Sequence, residues 1–134
     1  MAQEILVKEA LTEKMIEAGA ELIQRLAKTD FKLVAALWLW HVEPAEWWLT
    51  LSSPWIDKHG LNKAYRKIDE ALSKPEPISG LKPLDISAVE TNAPLIKALR
   101  DYAKERHTNL VNTRLKYLWF GDGAVDEAYI YFVK

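Results

Sequence analysis

One short segment of the sequence combines an acid, a base and an aromatic side chain. Residues 53–60 read Ser-Pro-Trp-Ile-Asp-Lys-His-Gly. A carboxylate that orients an imidazole is a common general-base arrangement, so Asp57 and His59 are candidate catalytic residues, with Tyr65 or Arg66 as a third group. The competing interpretation is structural, because Asp and Gly are ordinary turn and helix-start residues and Trp55 would anchor such a loop. We favour the structural interpretation.

The sequence predicts neither a metal site nor a cofactor. The histidines His41, His59 and His107 have none of the short spacings that are typical of metal-binding helices. The absence of cysteine excludes disulfides and thiolate ligands. The pair Ser52-Ser53 lacks a surrounding G-x-S-x-G, and residues 121–123 (Gly-Asp-Gly) lack the G-x-G-x-x-G of a phosphate-binding loop.

Residues 31–53 form the most apolar stretch of the chain and hold four of its six tryptophans. Alternating side chains on either side of Pro44-Ala45 predict a β-hairpin that is apolar on both faces. If Val42 pairs with Trp47, the large apolar residues Trp38 and Trp40 share the face that should form the main core.

The opposite face of this hairpin must also be covered, because exposing several large apolar side chains is unfavourable. A second subunit, a ligand or the chain itself could cover it. We predict self-association through this face, or docking of a partner. The predicted interface residues are Leu37, Leu39, His41, Trp48, Thr50 and Trp55. A ligand pocket is the alternative, with walls from Trp38, Trp40 or Trp48 and polar groups from His41, Thr50 and Tyr65.

The remaining elements predict an α+β fold: one domain with a mostly antiparallel five-stranded sheet and three helices, in the order α-β-β-α-β-α-β-β. We expect the helices on one sheet face. The predicted helices are Gln3–Lys28, Leu61–Ser73 and one that starts at Asn92-Ala93-Pro94 and ends near His107. The other predicted strands are Leu84–Val89, Thr113–Phe120 and Glu127–Val133, the last two joined through residues 121–124. Gly19 marks either a close helix–sheet contact or a tolerated defect.

This order of elements is similar to that of the PAS, GAF and profilin-like group of small sensory and scaffold domains, whose hairpins flank a central antiparallel sheet. The similarity involves no shared motif. It therefore implies an architecture and carries no function by itself.

Composition narrows the classes of partner. The 134 residues fit one domain, and a net charge of −1 gives no general attraction to nucleic acid or to anionic membranes. From Lys97 to Lys116 basic residues exceed acidic ones by four, and Tyr102, Tyr117 and Trp119 lie among or just after them. Basic residues with aromatics can bind single-stranded nucleic acid, but the spacing within the helix is that of any solvated face, and nucleic acid is not the expected partner. The longest apolar run, Leu33–Val42, is shorter than the roughly 20 residues that span a bilayer. Since no signal sequence is evident, we expect a cytoplasmic protein without membrane partners.

The sequence thus favours a non-catalytic interaction module that forms a homodimer through a Trp-rich sheet face. Two alternatives stay open. One is a small-molecule-binding or sensory domain with an aromatic-lined pocket, and the other is a small hydrolase or lyase that uses the Asp57/His59 loop.

Overall fold

Two hairpins supply four of the five strands of the sheet. The computed structural model describes residues 10–120 and 123–134. The strand order is β3-β2-β1-β5-β4, with β3 parallel to β2 and every other neighbouring pair antiparallel. The strands are β1 (Ala35–His41), β2 (Glu46–Ser52), β3 (Ile86–Val89), β4 (Thr113–Phe120) and β5 (Gly123–Val133). The predicted α+β fold and its element order are confirmed.

Four helices connect or precede these strands. They are α1 (Glu13–Ala27), α2 (Pro54–His59), α3 (Leu61–Ser73) and α4 (Pro94–Glu105). Side-chain caps fix the starts of two of them, since the Thr12 hydroxyl accepts a hydrogen bond from the Met15 amide and the Ser53 hydroxyl accepts one from the Trp55 amide. Residues 10–12, which were predicted to be helical, are therefore not part of α1. The earlier part of the predicted helix, which starts at Gln3 and covers residues 3–9, lies outside the described residues.

Several other helix and strand boundaries differ from the predicted ones. The segment 53–60, predicted as a loop, contains α2. The third strand begins at Ile86 because residues 83–85 form a 3₁₀ turn in which the Asp85 carboxylate accepts a hydrogen bond from the Lys82 amide (2.9 Å). Ala93 replaces Asn92 at the cap of α4, and α4 ends at Glu105. β5 starts four residues earlier than predicted, at Gly123. Residues 121–122, where the sequence predicts a turn, lie outside the described residues.

The register of the first hairpin differs from the prediction by two residues. Trp47 pairs with Trp40, and Trp48 pairs with Leu39, whereas the predicted partner of Trp47 was Val42. Residues 42–45 form a longer connection. Because side chains alternate with a period of two, this shift leaves every residue on its predicted face.

One face of the sheet packs against α1 and α3. The Trp40 and Trp47 rings meet edge to face on this side, with their centroids 5.5 Å apart, a favourable aromatic geometry. The buried residues of this core from β1, β2, α1 and α3 are Ala36, Trp38, Trp40, Trp47, Leu49, Leu51, Ala18, Leu22, Leu26, Ala64, Ile68 and Leu72.

The other face packs against α4, so the expectation that all helices lie on one face is wrong. Ile96 and Leu99 of α4 are buried, together with Leu110. Their partners from the sheet are Ala35, Leu37, Leu39, Val125, Ala128 and Ile130. The chain itself therefore covers a large part of the face that was predicted to bind a partner.

Candidate interaction surface

The two residues of the predicted catalytic pair have separate partners. Both carboxylate oxygens of Asp57 accept hydrogen bonds from Thr91, one from its amide (3.0 Å) and one from its hydroxyl. The His59 ring lies against the Trp55 ring, with centroids 4.1 Å apart. Asp57 thus ties α2 to the loop after β3, and no hydrogen bond between Asp57 and His59 is found within the described residues.

The proposed third groups do not complete a catalytic site. The Tyr65 hydroxyl accepts a hydrogen bond from the Ala88 amide (2.9 Å) and so connects α3 to β3. Arg66 lies exposed on α3. What this region does in the structure is hold α2, α3 and β3 together.

Trp55 is an anchor for the segment between β2 and α3. Its ring packs against Phe31 with centroids 5.6 Å apart, and the Lys67 ammonium lies 5.1 Å from the ring centroid. Lys67 also pairs with Asp30 (2.7 Å). This hydrogen-bonded ion pair lowers the pKa of the Asp30 carboxyl, because the ammonium stabilises its charged form.

Of the predicted interface residues on the second sheet face, three are enclosed. Leu37, Leu39 and Thr50 are buried, and the two leucines belong to the core beneath α4. These three residues are therefore covered within the chain, the two leucines by α4.

The end of the same face stays partly accessible. His41 and Trp48 are half-buried and stack with ring centroids 4.0 Å apart, and the Trp48 indole donates a hydrogen bond to the Glu46 carboxylate (3.0 Å). Burial lowers the pKa of His41, and the negative charge of Glu46 partly opposes the change. The Nε2 atom of His41 is buried without a hydrogen-bond partner.

Two of the three tryptophans predicted as walls of a ligand pocket, Trp38 and Trp40, are buried in the main core. The Trp38 indole donates a hydrogen bond to the Tyr131 hydroxyl (2.9 Å), which in turn donates to the Ile16 carbonyl of α1 (2.6 Å). Burial raises the pKa of Tyr131. This chain of hydrogen bonds satisfies the polar atoms of two buried aromatic residues and fixes α1 on the sheet.

The most exposed aromatic residues lie elsewhere, on β4 at the edge of the sheet. The side chains of Tyr117 and Trp119 are 71% and 78% exposed. Tyr117 also has a left-handed backbone conformation, with φ = 56°, which is an outlier for a bulky residue. We call the exposed residues Arg114, Lys116, Tyr117 and Trp119 the β4 edge. The sequence showed that basic and aromatic residues occur together here but gave no sign of their exposure.

An open groove lies beside the β4 edge. It has a volume of about 500 Å³ and runs between α4 and β4, where Tyr102 of α4 faces Leu118 and Trp119. Its charged residues are Lys97, Asp101 and Glu105. Since both signs of charge are present, the groove gives no selective attraction to a polyanion such as nucleic acid.

Comparisons with protein-family models, with curated proteins and with solved structures give no match. No cluster of three or more acidic or histidine side chains that could hold a metal ion occurs in residues 10–120 and 123–134. Across the same residues, no helix combines the length and the apolar character that crossing a bilayer requires.

Proposed function

We propose that this protein is an interaction module that forms a homodimer, and that the two copies meet at the β4 edge. The observation that carries the proposal is the exposure of two large aromatic side chains, Tyr117 and Trp119, on the outermost strand of the sheet. An edge strand presents unpaired backbone donors and acceptors, which a strand of another chain can bind. Pairing of β4 with its copy would join two five-stranded sheets into one.

Energetic arguments support a partner at this place. Tyrosine and tryptophan are enriched at the centres of interfaces, where truncation of one often weakens binding by about 2 kcal/mol or more. The left-handed backbone of Tyr117 is itself unfavourable by about 1–3 kcal/mol. Strained residues of this kind are concentrated at functional sites, where other interactions offset the strain. Contact with a second chain would bury the exposed ring of Tyr117 and would offset its backbone strain.

The sequence of β4 is complementary to itself in antiparallel pairing. With a two-fold axis between Lys116 and Tyr117, each lysine lies opposite a tyrosine and each Arg114 lies opposite a Trp119. Leu115 then lies opposite Leu118. Arginine or lysine beside an aromatic ring is a favourable cation–π arrangement, and a two-fold interface requires this kind of reciprocal matching.

Pairing through β4 would also limit the assembly to two copies. A β4–β4 interface is isologous, so each chain uses the same strand and no β4 remains free to bind a third copy. The opposite edge strand, β3, has only four residues. Short edge strands are poor templates for further pairing.

The test is the mass of the protein in solution, measured by analytical ultracentrifugation and native mass spectrometry. We expect the wild-type protein to be a dimer and Trp119→Glu to be a folded monomer. Each copy loses an aromatic ring whose truncation in an interface often weakens binding by about 2 kcal/mol or more, whereas the exposed ion pair between the new glutamate and Arg114 restores only about 0–1 kcal/mol. Tyr117→Gly should weaken the dimer while stabilising the monomer, since glycine adopts positive φ without strain.

Leu84→Glu is the matched control. Leu84 is 90% exposed but lies in the 3₁₀ turn before β3, so this variant should remain a dimer. A monomeric wild-type protein would contradict the proposal. A dimer that survives Trp119→Glu but is lost in Trp48→Glu would place the interface at the His41–Trp48 end of the sheet instead.

A further inference from the structure

An apolar cleft opens at the end of the sheet where β5 finishes. It has a volume of about 530 Å³, within the roughly 300–1,000 Å³ typical of small-molecule sites. The last turns of α1, the segment before β1, the start of α2 and the end of β5 form its walls. The apolar lining residues are Ile23, Ala27, Leu33, Val34, Pro54 and Phe132.

Among the described residues, the charged ones that line the cleft are two lysines, Lys32 and Lys134, and none is acidic. The Lys134 ammonium lies 5.3 Å from the centroid of the Phe132 ring, which places a positive charge beside an apolar wall. The Lys134 backbone is held on both sides, because its amide donates to the Val34 carbonyl (2.8 Å) and its carbonyl accepts from the Arg100 guanidinium (2.9 Å).

The nearest carboxylate on the segment before β1 is already neutralised. Asp30 is paired with Lys67 and lines the neighbouring pocket, which also contains Lys32, Lys58 and His59. The side chains at the rim of the cleft therefore carry positive charge, and no acidic side chain among the described lining residues balances it. An apolar cavity with a cationic rim matches a ligand with an apolar body and one anionic group.

We propose that this cleft binds a small amphipathic carboxylate, such as a medium-chain fatty acid, as a function separate from dimer formation. The alkyl chain lies against Leu33, Val34 and Phe132, where removal of apolar surface from water drives binding. The carboxylate lies at the rim between Lys32 and Lys134. The ligand is thus selected by the combination of an apolar chain and a single negative charge.

The test is isothermal titration calorimetry of the full chain with decanoate below its micelle concentration. We expect one decanoate per chain, weaker binding of the uncharged 1-decanol and no binding of acetate, which lacks the apolar chain. The double variant Lys32→Ala/Lys134→Ala should lower the affinity for decanoate about tenfold, the effect of losing two exposed ion pairs, and leave that for 1-decanol unchanged. Ala27→Phe should abolish binding of both, because the ring fills the cleft.

Two matched control variants test whether the loss of charge and the added ring act only when they are placed in the cleft. Lys63→Ala/Lys104→Ala removes the same charge from exposed positions outside the cleft, and Gln24→Phe adds the same ring to an exposed position of α1 that does not line it. Both should bind decanoate like the wild-type protein. The proposal would be overturned if decanoate gave no heat of binding, or if Ala27→Phe bound decanoate as tightly as the wild-type protein does. Binding to anionic phospholipid vesicles in place of free decanoate would overturn it as well.

Discussion

The missing side chain of Gly19 makes room for the hydrogen bonds that fix α1 on the sheet. A Cβ atom at this position would lie 2.3 Å from the Tyr131 hydroxyl oxygen and 3.1 Å from the Trp38 indole nitrogen. Real Cβ contacts do not approach so closely, so any side chain here must displace Tyr131 or α1. The sequence left two interpretations of Gly19 open, and the structure shows the close contact between helix and sheet.

This geometry predicts a coupling between two substitutions. Gly19→Ala should destabilise the protein by about 1–3 kcal/mol through overpacking, although alanine normally favours a helix over glycine by roughly 0.5–1 kcal/mol. Tyr131→Phe should cost about 1–3 kcal/mol, because the buried Trp38 N–H loses its acceptor. In the double variant the hydroxyl that clashes with the new methyl group is absent, so the combined loss should be smaller than the sum.

Urea denaturation of the two single variants and the double variant measures this coupling. Tyr102→Phe is the control, since Tyr102 is a half-buried tyrosine of α4 whose hydroxyl makes no hydrogen bond within the described residues, and the free energy of unfolding should change by less than about 0.5 kcal/mol. Strictly additive losses would show that the Tyr131 hydroxyl is not what requires glycine at position 19.

At the scale of elements, α4 decides which surfaces of the protein are open. Leu99 of α4 is buried against the sheet face that carries Leu37 and Leu39. Leu99→Ala should therefore lower the free energy of unfolding by about 2–5 kcal/mol, as measured by thermal or urea denaturation. Leu84→Ala, at an exposed leucine, should change it by less than about 0.5 kcal/mol. Equal effects of the two substitutions would mean that α4 does not cover the second face.

The position of α4 also shows where the sequence stops being informative. Amphipathic spacing predicted α3 at its observed bounds, Leu61–Ser73, because an apolar stripe identifies a helix regardless of what it packs against. The same spacing in α4 shows one apolar side but not which sheet face it meets. That choice follows from topology: α1 and α3 occupy the first face, and α4 connects β3 at one edge of the sheet to β4 at the other.

The candidate sites, too, could be predicted from the sequence only in part. Side-chain alternation placed Trp38 and Leu37 on opposite faces correctly even though the hairpin register moved by two residues. Alternation along β4 could not reveal that this strand lies at an edge, because that depends on the pairing of five distant segments. The left-handed conformation of Tyr117 was also beyond prediction, since tyrosine rarely adopts positive φ.

For the whole molecule, Trp119 of the β4 edge and the apolar cleft lie towards opposite ends of β5, while Arg114 of the β4 edge pairs with Tyr129, nearer to the cleft. Trp119 pairs with Ala124 near the start of this strand, whereas Phe132 and Lys134 of the cleft follow its end. About eight residues of strand separate them, roughly 25 Å at about 3.4 Å per residue. This exceeds the Debye length of about 8–10 Å in physiological salt, so a charge introduced at position 119 should have little effect in the cleft.

Dimer formation and carboxylate binding should therefore be separable by mutation. The Trp119→Glu monomer should bind decanoate with the affinity of the wild-type protein in calorimetry, and Ala27→Phe should sediment as a dimer. Coupling between two sites is reciprocal, so an effect in one direction requires an equal effect in the other. If Trp119→Glu changed the affinity for decanoate, addition of decanoate would have to shift the wild-type dimerisation constant by the same factor. Such a shift would contradict independence and show that dimer formation alters the cleft.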